Sequence, residues 1–440
     1  MASPPFVLGA DIGSGAARVV AVGPEGAVLA DAAADYPGGS AWPVGRARPE
    51  SWLDGLEAAL RRLPTGGPPS ALAIGGQSPT TVAVDGGWAV TCSHPAGADL
   101  PPDDQHAAQW ALLRDERGDT VVPGQVWDWL LGCLGAPRSQ GRWPGEPALP
   151  GYGERVDTAT IVGHSDGSHG VPAGTPLVPA AQDAYLSFWA GGLDEPGRGL
   201  DPGGRTGGLG VAVAAGRRSP GLYALPSAAP GIDIVGGPTA SHGAVIDWWS
   251  ALTGRSIPDL FALAADVPPG AGGVIALPYL EGERAPRWDP ALRAQLAGVS
   301  GSTGPGEVCR ALLEGTAYGL AHIAHELAAK GVGLDRLVCA GSPARSRLWC
   351  SIKASVLEIP VEVPTYPELT AYGAALAAGA ALEWWPAPGQ GQRGDWPRLP
   401  IDVIDPEAHP AYRAGYARFI ALGDLAAEWT HMKETPCRTH

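Results

Sequence analysis

The chain predicts an α/β protein of two large layered domains, and three observations carry that expectation. Its 440 residues are about three times a typical domain. Short apolar strands alternate with segments of helical periodicity through most of its length. Each half also opens on a glycine corner beside a strand, so two similarly built halves facing one another would enclose a cleft. The boundary is expected near Leu200, giving domains 1–200 and 201–440.

The elements follow in order. "FVLGADIG" is an apolar strand that ends in Asp11-Ile12-Gly13, and "ARVVAVGPEGAVLADAAADYP" alternates around a Pro-Glu-Gly turn as a hairpin does. "PESWLDGLEAALRRL" (Pro49–Leu63) has helical spacing and a Pro-Glu start. "SALAIGGQSPTTVAVD" gives two short strands around a Gly-Gly-Gln corner. From Thr91 to Gly163 the periodicity weakens to one short helix in "VPGQVWDWLLGCLG", with "APRSQGRWPGEPALPGYGE" read as loop. "GVPAGTPLVPAAQDAYLSFWAGGL" is a strand ending at Gln182-Asp183 and then a helix, and "LDPGGRTGGLGVAV" is a glycine corner leading into a strand. Helices are clearer beyond it, in "SHGAVIDWWSAL", "GPGEVCRALLEGTAYGLAHIAHELAAKG", "ARSRLWCSIKASVL" and "LTAYGAALAAGAALEWW".

Composition excludes several classes. A formal charge of −15, three lysines and no basic stripe argue against a nucleic-acid binder. No long uninterrupted apolar run suggests a membrane span, and the N-terminus lacks the basic-then-apolar pattern of a signal peptide. Six cysteines without CxxC or zinc spacing read as reduced thiols, so the expected location is cytoplasmic. Gly and Pro make up about a quarter of the chain but are interleaved with periodic segments, which fits a loop-rich folded protein.

Four glycine corners stand out: Asp11–Arg18, Gly75–Pro79, Gly203–Gly208 and Gly341–Ser346. Asp11 and Asp183 each end an apolar strand beside such a corner or a helix start. A carboxylate there can hold Mg²⁺ or accept a proton, and it can equally serve as a helix N-cap. The residues alone leave both open. "HSDGSH" (His164–His169) reads as a polar turn, and the tryptophan-rich segments read as core or interface surface.

Taken in order, these features resemble the FGGY family of carbohydrate kinases, a branch of the actin–hexokinase ATPase superfold. "DIGSGAAR" resembles the first phosphate loop, "IGGQSPTTVAVD" the first sugar loop, and "GVPAGTPLVPAAQDAYLSFWAGG" the strand that ends in the catalytic aspartate. "RTGGLGVAV" resembles the second phosphate corner, usually Gly-Thr-Ser-Gly, and "SHGAVIDWW" a helix start lining the nucleotide pocket. "LPYLEGERAPRWDPALRAQLAGVSGSTGPGEVCRALLEG" (Leu277–Gly315) is the most specific match, followed by "VCAGSPARSRLW" and "ELTAYGAALAAG". The likeness is greatest to the xylulose- and gluconate-kinase branch.

The resemblance implies two ribonuclease-H-like domains flanking an ATP/sugar cleft, and transfer of the γ-phosphoryl of ATP to a hydroxyl of a ketose, sugar acid, polyol or cyclitol. Asp183 would be the catalytic base and, with Asp11, would face Mg²⁺. Gly13, Ser14 and Gly15 would hold the β/γ-phosphates, with Arg18, Thr206 and Gly207 in support. Gly243, Gly341, Ser342 and Ser346 fall where the family holds adenosine and ribose, and Gln77, Ser78 and Pro79 where its sugar site begins. The implied partners are ATP, Mg²⁺ and a small sugar or polyol, with a homodimer left open by the family's habit. A catalytically lapsed relative that binds sugar or nucleotide as a sensor is the alternative. An ATPase acting on another substrate is a third reading.

Four departures from the family pattern accompany the match. The family's "WxDxR" sugar loop has no counterpart in "ADLPPDDQHAAQWALLRDERG", where Asp103, Asp104 and His106 are candidate replacements and a solvated acidic turn is the plainer reading. The segment between Gly118 and Gly163 is short. Arg205 stands at the second phosphate corner, able to clamp a phosphate, block it or turn to solvent. Pro343 stands in the adenosine loop, where a first-turn proline is tolerated because its N–H would be unpaired.

Overall fold

A computed structural model describes residues 4–38, 42–92, 94 and 102–432. The chain forms two compact units. The first comprises Met1–Asp194, Pro226–Ile232 and Glu368–Leu399, and the second Glu195–Leu225, Asp233–Pro367 and Pro400–His440. The passage out of the first unit thus falls after Asp194, not Leu200, and two later segments return to it. A single cut at Leu200 assigns Glu368–Leu399 to the second domain, whereas its helix packs on strands of the first unit.

The first unit is built on a six-stranded sheet in the order Gly163–His164, Pro176–Gln182, Leu72–Gly76, Val7–Ile12, Ala16–Val22, Val28–Asp35. The middle strands Pro176–Gln182, Leu72–Gly76 and Val7–Ile12 run parallel, and the flanking pairings are antiparallel. Val7–Ile12 is buried at every residue, as an apolar run in the centre of a sheet should be, whereas Val28–Asp35 alternates toward solvent at the edge. Helix α1 (Pro49–Arg62) starts at a proline, carries Glu50 in its first turn and Arg61 and Arg62 in its last, and buries Trp52, Leu56 and Ala59. Beyond it come α2 (Pro102–Arg117), α3 (Val126–Cys133) and α4 (Asp183–Ala190).

The second unit repeats the plan. Its sheet runs Tyr223–Pro226, Ile232–Thr239, Gly207–Ala214, Arg198–Asp201, Arg336–Cys339, Val361–Pro364, Ile401–Ile404. Arg198–Asp201 lies antiparallel to Gly207–Ala214 and parallel to Arg336–Cys339, as Val7–Ile12 lies to Ala16–Val22 and Leu72–Gly76. Its helices are α5 (Gly243–Thr253), α6 (Ile257–Ala265), α7 (Pro305–Ala329), α8 (Gly341–Ala344) and α9 (Arg347–Leu357), and α11 (Pro410–Thr430) closes the chain's helical order. In α7 the Glu307 carboxylate reaches back to the Gly304 N–H at 3.0 Å, and most of the helix is buried.

Helix α10 (Leu369–Ala381) belongs to the first unit and is buried along most of its length. It lies so close to the strand Val7–Ile12 that a Cβ built on Gly9 would fall on the Ala371 carbonyl and the Ala375 amide. Backbone atoms cannot yield as a flexible side chain can, so the contact requires glycine.

Two local expectations differ. Residues 102–117, read as a loop or acidic turn, form α2, and its inward side mixes buried Gln105, His106 and Gln109 with Leu113, which packs with Ala83, Val90 and Val121. The segment 136–154 read as loop contains the strand Ser139–Arg142, which pairs in parallel with Glu154–Asp157 beginning at its end. The described cysteines Cys92, Cys133, Cys309, Cys339 and Cys350 are free thiols, and Cys437 lies outside the described residues. No helix among the described residues is long and apolar enough to cross a membrane.

Candidate active site

In the first unit, strand register brings three of the predicted residues to one edge. Asp11 pairs with Gly75, Ile12 with Gly76, and Gln182 with Gly76, so Asp11, Gln77 and Asp183 all sit at the C-terminal ends of adjacent parallel strands. That edge is where open α/β sheets bind ligands. The Gln77 N–H donates to the Ile12 carbonyl at 2.9 Å, fixing the glycine corner against the first strand. Asp183 is the first residue of α4. Gln182 holds the cap position, so Asp183 is not the cap, and its Oδ1 accepts the Ala184 N–H at 2.8 Å.

Asp11 is buried, and its Oδ1 has no hydrogen-bond partner. Burial, opposed by Arg18 and reinforced by the Asp183 and Glu368 charges, pushes its carboxyl up to about 7. Arg18 stands across the hairpin from Asp11, with Nη1 4.0 Å from Oδ2, while its Nε lies 3.2 Å from a Glu368 carboxylate oxygen. Gly13, Ser14 and Gly15 form the turn between these strands, with Ser14 and Gly15 exposed. Its base is held from below, where the Tyr36 hydroxyl donates to the Gly13 carbonyl at 3.0 Å.

Beside this edge, Ser78 and Pro79 meet α2. Ser78 Oγ lies 3.4 Å from His106 Nε2, and Gln109 Nε2 donates to the Pro79 carbonyl at 3.1 Å. Thr81 Oγ1 joins His106 Nδ1 at 3.2 Å, Gln109 Oε1 at 2.8 Å and the Tyr152 hydroxyl at 2.7 Å. Burial, with the Arg142 charge, pushes the His106 imidazole down to about 3, so it is a neutral hydrogen-bonding group. Of the three candidate replacements for the sugar loop, His106 is the one brought alongside Ser78. Asp104 is exposed, and the Asp103 side chain lies outside the described residues, as do residues 95–101 of that loop.

In the second unit, three corners knit together. The Gly243 N–H donates to the Gly204 carbonyl at 2.9 Å, and the His242 and Ala244 N–H groups both donate to the Arg205 carbonyl, at 2.9 and 3.0 Å. Gly341 has φ of 61°, and a Cβ there would meet the Pro202 carbonyl at 2.8 Å, so this corner also requires glycine. Ser342 is exposed beside Gly243, Thr206 is exposed and Gly207 buried. Pro343 lies in the single turn of α8, and Ser346 caps α9 by accepting the Trp349 N–H at 3.3 Å. Arg205 pairs with Asp247 at 3.1 Å on an exposed surface.

Beneath these corners lies a buried ion pair absent from the sequence reading. Asp201 ends the first strand of this unit, as Asp11 does near the end of its own, and its Oδ2 is 2.5 Å from Lys353 Nζ, both side chains fully buried. Burial alone would raise the Asp201 carboxyl, but Lys353 and His242 outweigh it and hold it below the usual carboxylate range. Burial would likewise lower the Lys353 amine, and Asp201 outweighs it and raises it. His242 stacks on Trp349 at 5.0 Å and approaches Asp201 at 3.4 Å, with burial holding its imidazole down. The signal for Asp201 was present, an aspartate at a strand end before "PGGRT". Glu368 was also missed; its signal is a glutamate directly before an apolar helix.

Two units, each with a parallel strand core and a glycine corner at its C-terminal edge, give this chain the fold of the two-domain actin–hexokinase-like sugar kinases. Of solved structures, a xylulose kinase from Lactobacillus acidophilus superposes with a TM-score of 0.76 at 16% identity, covering 96% of this chain and 98% of that one. A gluconate kinase from the same organism gives 0.75 at 16% identity over 98% and 99%. At such identities the likeness concerns the fold. Residues 229–382 match the FGGY family of carbohydrate kinases, C-terminal domain. A glycerol kinase from Gloeobacter violaceus is 37% identical over 175 residues, 38% of this chain and 33% of that protein. The aligned stretch thus spans about a third of the length of that curated relative.

Proposed function

We propose that this protein is an ATP-dependent kinase that phosphorylates a hydroxyl of a small sugar or polyol. The observation that carries the reading is the strand register that sets Asp11, Gln77 and Asp183 on one sheet edge. Phosphoryl transfer asks for positioning and charge neutralisation more than covalent chemistry, and a strand-end carboxylate beside a glycine corner supplies the start of both.

In this reading Asp183 takes the proton of the attacking hydroxyl, and the N-terminal end of α4 favours the negative charge it needs beforehand. The turn Gly13–Gly15, with the Ser14 hydroxyl, receives the β/γ-phosphates, supported by Arg18. Gly243, Gly341 and Ser342 take the nucleoside. Asp11 suits a hydrated Mg²⁺, because it is buried with one carboxylate oxygen lacking a partner. Among the described residues no three His, Cys, Asp or Glu side chains gather as a metal cage, so Asp11, with Asp183 near it, is the protein's share of that site. When bound, Mg²⁺ neutralises phosphate charge. Gln77 and Ser78, with the neutral His106 behind Ser78, present hydrogen-bonding groups suited to acceptor hydroxyls. Relatives named glycerol kinase and xylulose kinase support an acceptor of this class.

The test is ADP release with Mg²⁺ and ATP over a panel of ketoses, sugar acids, polyols and cyclitols. Release should require an acceptor and fall by roughly 10²–10⁴-fold in Asp183→Ala, the usual contribution of a general base. Nucleotide binding without turnover on any acceptor, or acceptor-independent hydrolysis, would overturn the proposal.

A further inference from the structure

Glu368 breaks a local rule. It occupies the N-cap position of α10, where short side chains such as Ser, Thr, Asp and Asn are preferred because their oxygen reaches the first helical N–H groups, yet its side chain caps nothing. Its carboxylate is turned instead to Arg18, 3.2 Å from Nε, and is only 14% exposed. Local rules broken without a local gain mark functional positions.

The geometry around Arg18 shows what the contact does. Two carboxylates compete for one guanidinium. Glu368 holds Nε at 3.2 Å, whereas Asp11 stands 4.0 Å from Nη1, beyond hydrogen-bonding reach. Arginine is a long side chain with a rigid planar head, so holding Nε fixes the plane of the whole fork. It also keeps the fork from folding down onto Asp11, whose Oδ1 stays without a partner.

We propose that Glu368 is a positioning residue that anchors Arg18 through Nε, orienting the guanidinium for phosphate and leaving the Asp11 carboxylate open to a cation. The inference rests on the reading of this edge as a Mg-ATP phosphate site. It assigns Glu368 no contact with substrate. Removing its charge while keeping its shape releases Arg18 to pair with Asp11, which weakens phosphate binding and the Mg²⁺ requirement together.

The experiment uses the full chain and the variants Glu368→Gln, Arg18→Ala and the pair combined, with thermal unfolding as a check that each is folded. Binding of ATP is measured by calorimetry with Mg²⁺ and with EDTA, a readout independent of turnover, alongside acceptor-dependent ADP release. Glu368→Gln is expected to weaken Mg-ATP binding roughly 10- to 100-fold, the range for losing a hydrogen bond to a charged group. It should also shrink the gain in affinity that Mg²⁺ gives. In the Arg18→Ala background the same change should add nothing, which a merely structural role for Glu368 would not produce. Wild-type affinity in folded Glu368→Gln, or losses that multiply in the double variant, would overturn the inference and leave the kinase reading intact. A wild-type chain that shows this coupling in binding but no turnover on any acceptor would support the inference and refute the kinase reading. Absence of Mg-ATP binding by the wild-type chain would refute both.

Discussion

Lys353→Met tests whether the buried ion pair holds the second unit's corners in place. Methionine keeps most of the volume and removes the charge, so Asp201 is left fully buried without its 2.5 Å partner. Breaking a buried pair from one side costs about 3–5 kcal/mol. Asp201 would retain the Gly203 N–H at 3.0 Å and the more distant His242, which places the expected loss near the lower end, about 3 kcal/mol. For a domain of 150–250 residues each kcal/mol moves the melting temperature by about 2–4 °C, so the second unit's transition should fall by about 6–12 °C. The pH dependence is a sharper check. In the wild type the depressed Asp201 contributes stability that is lost only in strong acid, and the raised Lys353 contributes stability lost only in strong alkali, so the pair is silent from pH 5 to 9. In the variant a proton relieves the stranded charge, whether it lands on Asp201 or on His242. The folded state then binds more protons than the unfolded one, and the variant's deficit should grow as pH rises. Calorimetric scans between pH 5 and 9 read both effects, and Asp201→Asn combined with Lys353→Met should recover most of the loss. A variant melting within 2 °C of wild type throughout, or more unstable in acid than in alkali, would refute the reasoning.

Tyr36→Phe removes the hydroxyl under the first phosphate turn and should cost about 1 kcal/mol of stability, with a several-fold weaker affinity for ATP in calorimetry. Arg205→Ala loses an exposed pair with Asp247 and should change stability by less than about 1 kcal/mol. Its ATP affinity should stay close to wild type, and a large loss would mean that Arg205 leaves Asp247 to clamp a phosphate.

Asp11, Asp183 and the glycine corners were legible because turn residues and apolar runs are local signals. Helix α2 was not, because its buried positions Gln105, His106 and Gln109 are polar and its apolar contacts, Trp110, Leu112 and Leu113, are confined to one turn, too short a stripe to announce a buried helix. The short parallel strands "SQGR" and "ERVD" are polar and four residues long, with no pattern to read. The likeness of plan between the units was legible only from their glycine corners, because their first strands, "VLGADI" and "RGLD", share little beyond an aspartate near the end. The pairing of Arg18 with Glu368 joins positions 350 residues apart in the chain, and nothing in the sequence of α10 says to which unit it returns.

The close seat of α10 on Gly9 has a consequence for synthesis. The first strand leaves the ribosome early, but the helix that covers it is made only after most of the second unit, up to Pro367. Domains generally fold as units while they are made, but here the synthesis of the two is interleaved, and the first unit lacks a wall until residues 368–399 arrive. Until then a central apolar strand lies uncovered on one face, a surface that chaperones bind and that aggregation exploits. The same backbone contact that holds the finished unit together keeps it incomplete until most of the other unit has been made.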